Sequence, residues 1–159
     1  MPERYRTVVA IHLLLIRDGA ILLGERRNTG WADGMFHLPG GHLERGESLL
    51  EASCREADEE LGISVDHDDA RLVHVLHRLA VGDARVDFFF TVTRWQGELL
   101  NREPDKCARL EWFALDRLPA TMVAYGAKVL GECLAGREFS VFGWNPAEAA
   151  LEHASARGL

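Results

Sequence analysis

Short apolar blocks separated by turn-forming residues organise this chain. Thr7 to Ile16 is apolar and rich in β-branched residues, Arg17-Asp18-Gly19 is a turn signal, and Ala20 to Gly24 resumes the apolar run. The pattern predicts a β-hairpin. From Arg27 to Met35 the composition is that of a loop, with Trp31 inside it, and Phe36-His37-Leu38 follows as a short strand that stops at Pro39-Gly40-Gly41. Further on, Arg71 to Ala80 and Arg85 to Trp95 are strand-like runs joined by a turn at Gly82-Asp83, and Arg109 to Leu115 is another strand. A helix is expected over about Met122 to Leu134, and Asn145-Pro146, a cap followed by proline at the first helical position, opens a last helix through Ala154. The elements predict a mixed α/β (α+β) fold.

The most informative element runs from Ser48 to Leu61. Ser48-Leu49-Leu50-Glu51 has the Ser-x-x-Glu form of a capping box, and Gly62 stands where a helix end expects glycine. At about 100° per residue, Leu50, Cys54, Ala57 and Leu61 share one face, while Glu56, Glu59 and Glu60 share another. Like charges three or four residues apart repel, and near a helix C-terminus the dipole also disfavours them. Since this face follows a glycine loop, a Mg²⁺ ion held by carboxylates together with substrate phosphate would compensate that repulsion.

Composition narrows the picture. The chain has 159 residues, 47% of them apolar and 27% charged, which suits one soluble globular domain over residues 1–159. The net charge of −7 argues against an extended nucleic-acid surface, so a phosphate-bearing partner would be a small molecule met by local positive charge or a metal. The apolar run Val8 to Ile16 is too short to span a membrane, and Met1 to Arg6 does not read as a signal peptide, so no membrane partner and a cytoplasmic location are expected. Cys54, Cys107 and Cys133 have no metal-ligand spacing and are expected to be reduced packing residues.

Gly41-His42-Leu43-Glu44-Arg45-Gly46-Glu47, then seven residues to Arg55-Glu56-Ala57-Asp58-Glu59-Glu60-Leu61-Gly62-Ile63, resembles the Nudix box, G-x5-E-x7-R-E-U-x-E-E-x-G-U. Every fixed position agrees; Ala57 is a small choice for U, a bulky aliphatic position. The resemblance implies an α/β/α sandwich around a mixed sheet and Mg²⁺-dependent hydrolysis of a diphosphate linkage, with Mn²⁺ able to substitute. It implies Glu59 and Glu60 as main metal ligands, Glu56 as a further ligand or the general base, and the carbonyl of Gly40 or Gly41 in the metal shell. Arg55 and Glu47 look like the family's orienting pair. A later acid, Glu103 or else Glu98, resembles a further ligand or base, and Arg26 or Arg27 a phosphate contact. A possible homodimer is also implied.

For the substrate, similarity works mainly by exclusion. Where the family's ADP-ribose hydrolases tend to carry proline, this chain has Arg78 and Leu79, and where dinucleoside polyphosphate hydrolases have tyrosine it has Ala80-Val81-Gly82. The coenzyme A signature is matched at Leu22, Leu23, Arg26 and Gly34 but fails at Gly24 and Gly30. Glu103-Pro104-Asp105-Lys106-Cys107 followed by Glu111-Trp112-Phe113 is similar to MutT-like (deoxy)nucleoside triphosphate hydrolases, although no counterpart of their guanine-reading asparagine stands among Ala120 to Val123. The partner expected is therefore a nucleoside di- or triphosphate. Its base would stack on Trp31, Phe36 or Phe90, read by shape more than by hydrogen bonds, with Trp31 equally able to pack under its loop. A nucleotide sugar, ADP-ribose or other X-linked diphosphate as substrate, or a non-catalytic nucleotide-sensing role, are the alternatives.

Overall fold

The computed structural model describes residues 1–159. The amino-terminal hairpin forms as β1 (Val8–Arg17) and β2 (Ala20–Arg26), followed by β3 (Phe36–His37), β4 (Gly40–His42) and helix α1 (Leu49–Leu61). Then come β5 (Ala70–Leu79), β6 (Ala84–Val92), β7 (Cys107–Ala114), α2 (Ala124–Leu134), β8 (Phe139–Phe142) and α3 (Pro146–Arg157). The strands join in the order β3-β2-β1-β6-β5-β8, with β4 on β1 and β7 on β2. The sheet is mixed, because β1 runs parallel to β6 and β5 parallel to β8 while the other pairs are antiparallel.

Both faces of this sheet are covered. Ile11, Leu13 and Leu15 of β1 point to one face and pack with Phe90, Ala52, Ala57 and Leu61 under α1. On the other face, Leu14, Leu76 and Phe89 pack with Tyr125, Val129 and Leu130 of α2. The alternation along β1 thus builds two cores from one strand. No helix is long and apolar enough to cross a membrane.

β1 changes partners along its length, and this opens the cleft. It pairs with β2 only at Ile16↔Ile21 and Arg17↔Ala20, whereas nearer its start Ala10, Ile11 and His12 pair with His42, Gly41 and Gly40 of β4. β2 therefore diverges from β1 after the turn and takes β7 as its main neighbour, from Ala20↔Ala114 to Arg26↔Cys107.

Two strands escape the sequence reading. β4 has two glycines and low intrinsic strand propensity, and β8, Phe-Ser-Val-Phe, is only four residues long. Both exist because a neighbouring strand offers its edge. The face of α1 also differs from expectation: Ala52, Ser53, Glu56, Ala57 and Leu61 are buried, while Leu50 and Cys54 lie half-buried at the margin. Glu56 is on the buried side because it faces the glycine strand β4 rather than solvent.

Candidate active site

The carboxylate helix is fixed at both ends by local chemistry. The Glu51 N–H donates to Ser48 Oγ at 3.2 Å and the Ser48 N–H to Glu51 Oε2 at 2.6 Å, while Gly62 closes the helix in the left-handed conformation with φ 67°. Alongside, β4 brings its backbone close enough to touch the acidic face: the Gly40 N–H donates to Glu60 Oε2 at 2.9 Å. A Cβ on Gly41 would lie well inside van der Waals contact of the Glu56 carboxylate, and one on Gly40 would collide with the Ile11 carbonyl. Only glycine permits this approach.

Arg55 organises the acids. Its Nε and Nη2 donate to Glu47 Oε2 and Oε1 at 2.9 and 2.7 Å, and its Nη1 to Glu56 Oε1 at 2.9 Å and Glu59 Oε2 at 3.2 Å. Nη2 also reaches the His42 carbonyl at 3.1 Å, tying the helix to β4. The fork holds Glu47 below its ordinary pKa, chiefly through its hydrogen bonds. Burial pushes Glu56 up despite Arg55, and Glu59 and Glu103 add to the rise. Glu60 is raised to about 8, first by burial and then by Glu56 and Glu103, against the opposing Gly40 N–H. Carboxylates raised by burial and by one another form a site with spare affinity for positive charge.

These groups line one side of a cavity of about 670 Å³, together with Gly40, Gly41, Glu59 and Glu103. Glu103 enters from the segment before β7, where Lys106 Nζ donates to its Oε1 at 3.0 Å. Glu98 is exposed and does not line the cavity. Arg26, at the end of β2, lines it and is anchored by donating to the Trp31 carbonyl at 2.8 Å and Thr29 Oγ1 at 3.0 Å; Arg27 points away and is exposed. β2 ends at Arg26, after a register shift between Glu25 and Arg26, and Arg27 follows in the exposed loop.

Trp31 lines the cavity beside His37 and Tyr125, with ring centroids 5.8 and 6.4 Å apart. Phe36 and Phe90 do not. Phe36 is 5% exposed, packed edge-on against Phe113, and Phe90 is 2% exposed beneath α1. Each is held in one of the two cores by alternation along its strand, so neither offers a ring to a base. Sequence reasoning also missed a polar floor made by His12, Arg78, Arg85, Asp87 and Tyr125, and the wall residue Cys107. The signal available was a histidine and charged residues inside otherwise apolar strands.

The NUDIX domain family model matches residues 4–133, most of the chain and all of the glycine-helix site. The chain belongs to the Nudix family. A crystal structure of a MutT NUDIX hydrolase from Burkholderia pseudomallei is 34% identical and superposes with a TM-score of 0.71, covering 80% of this chain and 98% of that one. A MutT protein structure from Bacillus halodurans is 25% identical, with a TM-score of 0.71 over 89% of this chain and 92% of that one. The oxidized purine nucleoside triphosphate hydrolase of Danio rerio is 28% identical over 117 residues, 67% of this chain and 66% of its own length. The low-salt glycan biosynthesis protein Agl8 of Haloferax volcanii is 41% identical over 58 residues, 36% of this chain. The matches span about a third to two thirds of these two curated relatives' lengths. In this chain the Nudix box is the loop-helix unit from Gly41 to Ile63, so the Arg55 fork and the raised carboxylates lie within the family's signature.

Proposed function

We propose that this Nudix protein hydrolyses a nucleoside di- or triphosphate at a diphosphate linkage, releasing a nucleoside monophosphate with phosphate or pyrophosphate. The observation that carries this reading is that one cavity is lined both by the carboxylates Glu56, Glu59, Glu60 and Glu103 and by the rings of Trp31, His37 and Tyr125. The carboxylates suit a divalent ion and its phosphates, and the rings a planar group.

The donor chemistry suits Mg²⁺, or Mn²⁺ in its place, since the donors are oxygens only; the acids are not gathered in threes around one point, so Glu56 and Glu59, held by Arg55, would turn toward the ion on binding. Glu59 and Glu60, with the carbonyl of Gly40 or Gly41, would hold the ion, with Glu56 as a further ligand or the general base. When bound, it supplies stabilisation of the charge that develops on phosphate oxygens. Arg26 and Lys106, the cations flanking the acids, bind phosphate, and Arg26 is held for this by Trp31 and Thr29. Arg55 and Glu47 fix the helix carboxylates in orientation. The attacking water gives its proton to Glu56 or Glu103.

The test is a product assay over nucleoside triphosphates, ADP-ribose and nucleotide sugars with Mg²⁺, Mn²⁺, Ca²⁺ or EDTA. At least one triphosphate is expected to give a higher kcat/KM than ADP-ribose. Excess EDTA should abolish turnover, and Ca²⁺, with its looser shell, should support binding but little hydrolysis. Better turnover of ADP-ribose would overturn the substrate class, and full turnover in EDTA the metal dependence. Ligand-induced stabilisation with no turnover of any compound would favour a sensor.

A further inference from the structure

On the face of the sheet opposite α1, a chain of buried charged groups ends in atoms that have no partner in the protein. Glu152 of α3 accepts from Arg78 Nη1 at 2.5 Å, and Arg78 Nε donates to Asp87 Oδ2 at 3.3 Å. Asp87 Oδ1 pairs with His12 Nε2 at 2.9 Å. Asp87 is fully buried, Arg78 and His12 nearly so, and each stays where it is through its neighbour. His12 is held in plane by Phe89, stacked at 4.7 Å and 22°. The other ring nitrogen of His12, Nδ1, is buried and unpartnered, as is Nε of Arg85 on the same strand as Asp87. Buried polar atoms of this kind are rare and call for a missing partner. His12 and Arg85 both line the cavity of the acidic site.

We propose that His12 Nδ1 and Arg85 Nε recognise the polar edge of the substrate's base, and that the Asp87-Arg78-Glu152 chain orients His12 for this. The chemistry is complementary. With Nε2 facing the Asp87 carboxylate, His12 Nδ1 is the ring atom left to meet a ligand, and Arg85 Nε is always a donor. A heteroaromatic base carries ring-nitrogen, carbonyl and amino groups around its rim that can meet these atoms. A sugar offers no planar face to the Trp31, His37 and Tyr125 rings beside it. The base is thus read by hydrogen bonds, in addition to the shape reading that aromatic residues alone would give. Its anchor, Glu152, lies on α3 beyond residues 4–133, so the carboxy-terminal helix is part of the specificity apparatus.

This rests on reading the cleft as a nucleotide site, and equilibrium binding tests it independently of turnover. Calorimetric titration of the full chain with AMP, GMP, CMP and UMP, and with ribose 5-phosphate as base-free control, gives the affinity gained from the base. At least one nucleotide is expected to bind about 10-fold or more tightly than the control, and Arg85→Met and His12→Phe each to bring that ratio within about 3-fold. The loss should fall on the nucleotides and not on ribose 5-phosphate. Arg85 is half-buried at the cleft, so Arg85→Met carries the test if His12→Phe, which strips Asp87 of a partner, does not fold. A wild-type ratio near one, or a ratio that Arg85→Met leaves intact, overturns the assignment. Base-dependent binding that the variants abolish, in a protein that turns over no nucleotide, supports it and overturns the hydrolase reading instead.

Discussion

Glu60→Gln is expected to abolish most turnover while making the metal-free protein more stable at alkaline pH. Glutamine keeps the oxygen that accepts from the Gly40 N–H and keeps the side chain's size, so the loop stays docked on α1. What goes is a charge. On the reading of Glu60 as a metal ligand, kcat should fall by about 10²-fold or more, the consequence of losing a few kcal/mol of transition-state stabilisation. Stability should move the other way. Glu60 is raised to about 8 in the folded state, so the folded protein binds its proton more tightly than the unfolded chain does. Stability from this group is therefore complete below the ordinary carboxylate range and is lost as pH rises toward and through about 8.

Wild-type protein in EDTA should melt at lower temperature at pH 9 than at pH 6. Glu60→Gln should remove that part of the slope and melt about 2–8 °C above wild type at pH 9, corresponding to roughly 1–3 kcal/mol after allowance for relaxation. Mg²⁺ should restore the wild-type protein at pH 9 and leave the variant nearly unmoved. Melting curves at the two pH values, with and without the ion, check this. Near-wild-type kcat in Glu60→Gln at saturating Mg²⁺ would remove Glu60 from the ligand set, and an unchanged pH slope would remove the buried-charge account.

Arg78→Met is expected to give the largest loss of stability. Arg78 joins two buried carboxylates, Asp87 and Glu152, and its guanidinium lies 3.9 Å from the centre of the Tyr125 ring. Burial alone would raise Asp87, but His12 and Arg78 outweigh it and hold this carboxylate at about 2. Taking the cation away leaves buried Glu152 without its ion-pair partner and Asp87 with His12 alone, a break that typically costs about 3–5 kcal/mol, or roughly 6–20 °C in Tm for a chain of this size. A second change, Glu152→Gln, should recover part of the loss, because it removes the charge left without its partner. The wild-type pairing also has a pH signature. A depressed carboxylate contributes stability that is present above its unfolded pKa and lost as pH falls through the folded value, here from about 4 down to about 2. Arg78→Met should flatten that acid limb. A fall in Tm under 2 °C at neutral pH would mean that the network contributes little to folding.

Local spacing along the sequence determined the parts of this protein that lie on one element. The two ends of α1, the shared acidic face of Glu56, Glu59 and Glu60, the Arg55-Glu47 pairing and the glycines before the helix follow from capping chemistry, from 3.6-residue periodicity and from a family pattern whose members are close in sequence. Questions that depended on where a loop runs or which way a strand faces stayed open. Arg26 enters the cleft and Arg27 does not, Glu103 is in it and Glu98 is outside, and Phe36 and Phe90 belong to opposite cores. In a strand, a shift of one residue exchanges the two faces, and the β5–β6 register itself shifts between Leu72 and His74. The polar floor is the extreme case. His12, Arg78, Asp87 and Glu152 come from four elements separated by up to 140 positions, and nothing local marks them as partners. Only the parallel pairing of β1 with β6, the antiparallel pairing of β6 with β5 and the docking of α3 bring them together, because long-range pairing sets which buried charges can neutralise one another.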